Sequence, residues 1–404
     1  MTAPPTNAHR FLDPHLRDWI GLPELDRVLD PAALSELLGR PVRVHRLRVK
    51  PGRSVLVGWQ HTDEESADRY GWAAVLADRD KVTGIRRRAS RAGAAMTMHE
   101  PTTPSGAVVL SGGIDSDPGL ARELAHARRA LPATARITPM TYNPGRRVVL
   151  QVELLPGDGT ARQVVRVGAE RQDHLVGLAR RWRGFGVPTL PVRRVGRRGT
   201  AVVSPWWGVG DLTHLPEPTA AERAGVVLSR LHRASTVPPR AAAPDMVVPP
   251  VAGMVTELLP GLGDRVAGLA DALARVLSGR RPASLVHGDL SPDQVLWDGA
   301  DGIRVVDLDR SELGPPGSDV GSWIAACTLA GQPELTVGFL TGHRSGGSRP
   351  GRPLPARELA GWCARALLAS ALEPFRRADP DWRQRVAAQV ALAEDIIAGR
   401  GGLP

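Results

Sequence analysis

The sequence predicts an α+β chain whose first half is antiparallel sheet and whose second half is mainly helical. Three observations carry this. Two strand–turn–strand segments of alternating apolar residues recur at 43–57 (RVHRLRVKPGRSVLV) and 135–150 (ARITPMTYNPGRRVVL). From residue 220 onward apolar residues return at helical spacing. Inside that helical half, a short strand–turn–strand occupies 285–306.

The elements follow in order. Each repeated segment has a Pro-Gly turn followed by Arg, then a polar turn (63–68 and 157–159), a third strand (72–76 and 163–167) and an Arg-rich helix (81–92 and 171–183). Two such units point to a duplication. Residues 1–110 are read as an N-terminal cap, 111–207 as a small-sheet domain and 208–404 as a helical domain. The helical domain should hold helices at 220–233, 255–277 (broken at Pro260), 323–329, 358–375 and 382–397. The stretches 235–251 and 342–353 read as loops.

Composition excludes several classes. No apolar run approaches the roughly 18 residues of a membrane span. The start, residues 1–7, lacks a basic region leading into an apolar core, so no signal peptide is expected. Cys327 and Cys363 give no disulfide framework and read as buried, inert thiols. A cytoplasmic protein is expected. The net charge of +10 would suit nucleic acid, yet all basic residues other than His, Lys50 and Lys81 are Arg, and they are dispersed without interleaved aromatics. No nucleic-acid partner is expected; oligomeric state is open.

The chemistry concentrates at His287-Gly288-Asp289, Gln294 and Val305-Val306-Asp307-Leu308-Asp309. The turn at 298–302 is rich in Asp and Gly, so a hairpin can return Asp307 beside Gln294, with Asp289 at the mouth of the loop. A carboxylate and an amide offer oxygen ligands to a hard cation. A second carboxylate beside them suits phosphoryl transfer, where protein groups mainly position and offset negative charge. Asp309 either joins the metal ligands or forms a salt bridge. His287 reads as structural.

This set resembles the aminoglycoside phosphotransferase and choline kinase-like family, relatives of protein kinases. Its catalytic loop reads His-Gly-Asp, four residues, then usually Asn; Gln294 stands at that last place, as in maltokinase-like members. Asp319 matches an Asp that supports the loop. The resemblance implies a bilobal protein kinase-like fold: a small antiparallel-sheet N-lobe and a mainly helical C-lobe, here with an α/β cap resembling part of the N-lobe. It implies ATP and magnesium as cofactors, Asp289 as catalytic base, and Gln294 and Asp307 as metal ligands. The turn Pro144-Gly145-Arg146 would cover the nucleotide phosphates, and Arg166 stands where the family has Lys. Arg166 is read either as that phosphate cation or as an outward residue on an edge strand. Glu170 and Asp173 are the nearest acids to steady it. The corresponding strand of the cap, 73–76, has no cation. Ser204, Trp206 and Trp207 lie at the expected hinge, where the tryptophans either flank adenine or simply pack; Pro205 has no amide proton.

A kinase acting on a hydroxyl of a small molecule, an aminoglycoside or a sugar, is therefore expected. The alternatives are a kinase of Ser or Thr in a natural-product precursor peptide, and a pseudokinase that binds and regulates.

Overall fold

The computed structural model describes residues 11–63, 69–102, 106–154, 161–346 and 354–400. Residues 1–7, most of the first polar turn (64–68), the second (157–159) and the Gly- and Arg-rich stretch 347–353 lie outside them. The chain divides into two compact units. One holds residues 1–174, 193–205 and 373–383; the other holds 175–192, 206–372 and 384–404.

The first unit is two five-stranded antiparallel sheets of the same topology. β1 (Val42–Lys50), β2 (Ser54–His61), β3 (Tyr70–Leu76), β4 (Met96–His99) and β5 (Val108–Gly113) lie in the order 1-2-3-5-4. β6 (Arg136–Asn143), β7 (Arg147–Leu154), β8 (Ala161–Gly168), β9 (Arg193–Val195) and β10 (Ala201–Pro205) lie in the order 6-7-8-10-9, the same pattern. Both first turns place Pro second and Gly third, with Gly52 at φ 66° and Gly145 at φ 69°. That is the type II pattern, in which the third residue must take a positive φ. Each closes by an Arg amide donating three residues back, Arg53 to Lys50 at 2.9 Å and Arg146 to Asn143 at 3.0 Å. The repeat is thus fuller than the sequence suggested. The exposed, four-residue β4 and the three-residue β9 carry too little alternation to be read as strands.

The duplication shares one core. Trp72, Ala74 and Leu110 of the first sheet join Val148, Leu150, Val165 and Val167 of the second. Leu124 and Ala127, on the helix Ala121–Ala130 that links the sheets, belong to the same cluster. The apolar faces on either side of residue 110 are thus buried together.

Asp117 fixes the junction. It is fully buried and accepts from the amides of Gly119 (2.7 Å) and Leu120 (2.8 Å), from the amide of Gly145 (2.8 Å) and from the Tyr142 hydroxyl. Burial alone pushes its carboxyl upward, and these four donors act against that. The Pro144-Gly145 turn is thereby held against the first sheet. A Cβ on Gly145 would lie 3.1 Å from Leu56 Cδ2, and one on Gly58 would lie 3.0 Å from Pro144 Cδ.

Sequence reading missed the helices Pro14–Ile20 and Pro31–Leu38. Each is capped by the side chain of a preceding Asp, Asp13 and Asp30, with Pro in the first turn. The expected helix 358–375 ends at Ser370. The chain then gives residues 373–383 to the first unit, where Phe375 stacks on Phe11 at 5.9 Å and Glu373 pairs with Arg46 at 2.9 Å.

The second unit is helical around two three-stranded sheets. One is β11 (Gly210–Asp211), β14 (Val295–Trp297) and β15 (Ile303–Val305), in the order 11-14-15. The other is β12 (Val237–Arg240), β13 (Arg281–Val286) and β16 (Glu312–Gly314), in the order 12-13-16. Residues 235–251, expected as loop, thus hold β12 and a helical turn at Pro244–Val247. Helix Pro218–Ala234 lies tightly on helix Pro333–Ser345. A Cβ on Gly342 would sit 1.8 Å from the Glu222 carbonyl, so only glycine allows that approach. No helix among the described residues is long and apolar enough to cross a membrane. Cys327 and Cys363 are buried, and burial pushes both thiols up to about 12.

Candidate active site

β13 ends at Val286 in the core and delivers His287, Gly288 and Asp289 as a loop. Two buried side chains and a glycine bend fix that loop. Asp319, fully buried at the start of helix Gly317–Ala330, accepts from the His287 amide (2.8 Å) and the Gly288 amide (3.0 Å) and bonds His232 Nε2 at 3.0 Å. Burial pushes the Asp319 carboxyl up, but the His232 bond and charge, the His287 charge and the His287 amide outweigh it and hold it below the usual carboxylate range. Gly288 is at φ 93°, and a Cβ there would lie 2.4 Å from the Arg310 carbonyl. No other residue fits this bend.

The hairpin returns as its turn chemistry predicts. β14 and β15 pair antiparallel, Val295 opposite Val305 and Trp297 opposite Ile303. The Val306 amide then donates to the Gln294 carbonyl at 3.0 Å, which sets Asp307 one residue beyond that bond. Asp307 is at φ 58° and ψ 52°, a left-handed conformation that Asp tolerates better than most side chains. A non-glycine residue held there often marks a functional site. Asp309 follows in a single 3-10 turn, Leu308–Arg310.

His287 ties the two motifs together. Its ring is buried, with Nδ1 3.1 Å from Asp289 Oδ1 and Nε2 2.9 Å from the Val306 carbonyl. One imidazole therefore spans the Asp289 carboxylate and the peptide that leads into Asp307. Asp289 Oδ2 also faces Arg310 Nε at 3.4 Å, an exposed pair. Burial lowers the His287 pKa, but the bond to Asp289, the charges of Asp289 and Asp319 and the Val306 carbonyl together raise it above its ordinary value. A raised imidazole stabilises the fold fully below about pH 6.5 and loses that contribution as pH climbs through its folded pKa. Melting temperatures of the protein and of His287→Gln, taken from about pH 6 to about pH 9, should thus differ most at the acid end and converge upward. A pH-independent gap would contradict the doubly donating imidazole.

Residues 201–354 match the family described as the phosphotransferase enzyme family. No curated protein matches the sequence. Among solved structures, a thermostable mutant of aminoglycoside phosphotransferase APH(4)-Ia in ternary complex with AMP-PNP and hygromycin B is 16% identical. That alignment covers 72% of this chain and 100% of the other, with a TM-score of 0.50. A choline/ethanolamine kinase family protein from Mesorhizobium loti is 17% identical over 69% of this chain and 94% of its own, with a TM-score of 0.48. The fold is that of the kinase-like phosphotransferases, as the motifs implied.

The matched segment also holds the chain where it enters the helical half. Val209 donates to the Trp297 carbonyl at 2.8 Å, Gly210 and Asp211 pair with β14, and Leu212 donates to the Val295 carbonyl at 3.1 Å. A Cβ on Gly208 would meet that same Trp297 carbonyl at 2.5 Å. One face of the Trp207 ring is covered by Arg304, which lies over it at 4.5 Å. Trp206 is about one-third exposed. Ser204 is paired within β10, opposite Val164.

In the first unit, Arg166 lies on β8 between β7 and β10, opposite Val149 and Val202. It is therefore on an interior strand, which removes the edge-strand reading. Val165 and Val167 point into the core, so Arg166 points to the other face. Register places Ala74 at the equivalent point of the first sheet, opposite Leu56 and Leu110, so the duplicate has no cation there. Of the two acids considered as its partners, Asp173 is paired with Arg171. A cavity of about 650 Å³ in the first unit, lined by Trp59, His99, Ser111 and Arg128 among others, contains none of the expected site residues.

Proposed function

We propose that the chain transfers the terminal phosphoryl group of ATP to a hydroxyl of a small molecule. The observation that supports this best is His287, which links Asp289 to the peptide before Asp307 and so makes one site of two motifs. Asp289 orients the acceptor hydroxyl and takes its proton as the new oxygen–phosphorus bond forms. His287 and Asp319 keep that carboxylate aimed. The side-chain oxygen of Gln294 and the carboxylate of Asp307 are hard donors on adjoining strand ends, a set that fits magnesium. When bound, the ion offsets negative charge on the nucleotide phosphates. Arg166, Arg146 and the Pro144-Gly145 turn are the proposed phosphate contacts, and Ser204, Trp206 and Trp207 the proposed base contacts. Asp309 is a further oxygen ligand. The acceptor is a sugar or an aminoglycoside-like alcohol.

Asp307→Asn tests the metal role without disturbing the backbone, since Asn also accepts the left-handed conformation. Nucleotide affinity in magnesium should fall about ten- to a hundredfold, while affinity without magnesium stays the same. Equal loss in both conditions would contradict the assignment. Tight magnesium-dependent binding with no turnover over a broad panel of alcohols would favour the pseudokinase reading instead.

A further inference from the structure

The first unit carries a group of arginines of which the phosphoryl-transfer reading uses Arg146 alone. Arg46 and Arg48 stand on β1, in the duplicate sheet, with Arg48 opposite Leu56 on β2. The Pro144-Gly145 turn of the second sheet lies on this face, and a Cβ on Gly145 would be 3.7 Å from Arg48 Nη1. Arg146 is the next residue of the turn. Arg376 arrives from the returning segment 373–383. Arg46 and Arg376 share one carboxylate, Glu373, at 2.9 and 2.8 Å. Among the described residues, neither Arg48 nor Arg146 has an acid within ion-pair distance.

The charges are close enough to act on one another. Burial lowers the Arg146 pKa, and Arg48, Arg376 and Arg46 lower it further, with Glu170 alone opposing them. Arg48 also acts on Lys81, which reaches Ser54 Oγ at 3.2 Å beside the first turn. Lys81 is itself depressed first by burial, then by Lys50. Like charges gathered on rigid strands repel, and a fold keeps them together at a cost unless an anion completes the set. Guanidinium forks match phosphate oxygens with paired hydrogen bonds.

We propose that Arg48 of the duplicate sheet and Arg146 of the hairpin turn form a binding site for a phosphate group, steadied by Arg46 and Arg376 through Glu373. The duplicate sheet, which has Ala74 where its counterpart has Arg166, supplies charge from its first strand instead. Asp117 and Tyr142 hold the turn in register with Arg48. The phosphate belongs either to the donor nucleotide or to a separate phosphorylated ligand. The site itself does not depend on the assignment of Asp289 and Asp307.

Inorganic pyrophosphate without magnesium is the probe, titrated by calorimetry into the full chain, Arg48→Gln, Arg146→Gln, Asp307→Asn and an exposed control, Arg180→Gln. Binding should weaken about tenfold in each of the first two variants and be unchanged in the other two, and should fall as salt is raised. Thermal melts confirm that the variants are folded. Absence of binding by the parent protein, equal binding by Arg48→Gln, or a like loss in the Arg180→Gln control would overturn the proposal. Repeating the titration with saturating ATP identifies the source. Competition assigns the site to the donor's own phosphates, and undiminished binding assigns it to a second ligand. Loss of phosphoryl transfer in Asp289→Asn with pyrophosphate binding intact separates this site from the catalytic one.

Discussion

Asp289→Asn should lower phosphoryl transfer by about a thousandfold or more while leaving nucleotide binding nearly intact. The variant isolates chemistry because the loop keeps its geometry, with only the charge that Asp289 sets beside His287 removed. Asn keeps an oxygen where His287 Nδ1 now finds Asp289 Oδ1, so the loop retains its anchor. It gives up the pair with Arg310, whose side chain is 71% exposed, and exposed pairs contribute about 1 kcal/mol at most. What disappears is the ability to accept the acceptor's proton. Transfer by Asp289→Asn at the parent rate, measured as acceptor-dependent ADP release, would remove Asp289 from the mechanism.

Asp117→Ala should destabilise the first unit by about 3–5 kcal/mol. The carboxylate receives four donors, and truncation strands them together: the amides of Gly119, Leu120 and Gly145 and the Tyr142 hydroxyl. Each buried, unsatisfied donor costs about 1–3 kcal/mol, and these losses overlap because one collapse exposes several of them. Surrounding side chains leave little room for repair, since a Cβ on Gly119 would already lie 2.7 Å from the Gly145 carbonyl. Both sheets should loosen together, because Trp72 and Val165 belong to one core. Denaturant unfolding monitored by tryptophan fluorescence reads this. A shift below about 1 kcal/mol would mean the junction is wet or tolerant, contrary to its full burial.

The loop and hairpin of the candidate site were legible because turn chemistry and hydrogen-bond geometry act over short spans. A hairpin of five turn residues could only bring Asp307 back beside Gln294, and the Val306–Gln294 bond is the result. His287 was legible as structural from its place in the loop. Its second bond, to the Val306 carbonyl, depends on a partner 19 residues away and has no local signature. The repeat was visible in its first hairpins, where alternation is strong, and faded at β4 and β9, where strands are short and exposed. Asp117 gave no signal at all. It sits among ordinary linker residues, and its partners Tyr142 and Gly145 lie more than 20 residues on. The placement of 373–383 was equally hidden, because Glu373 meets Arg46 across most of the chain. Arg166 shows the opposite case. Its strand was correctly found, but only pairing on both sides reveals that the strand is interior.

The central claim is that Asp289, Gln294 and Asp307 serve one phosphoryl-transfer site. A crystal structure with magnesium and a non-hydrolysable ATP analogue tests it most directly. The expected result is an ion about 2.1 Å from the side-chain oxygens of Gln294 and Asp307, shared with the phosphates, and Asp289 facing the terminal one. An ion or phosphate chain bound away from these side chains would contradict the claim.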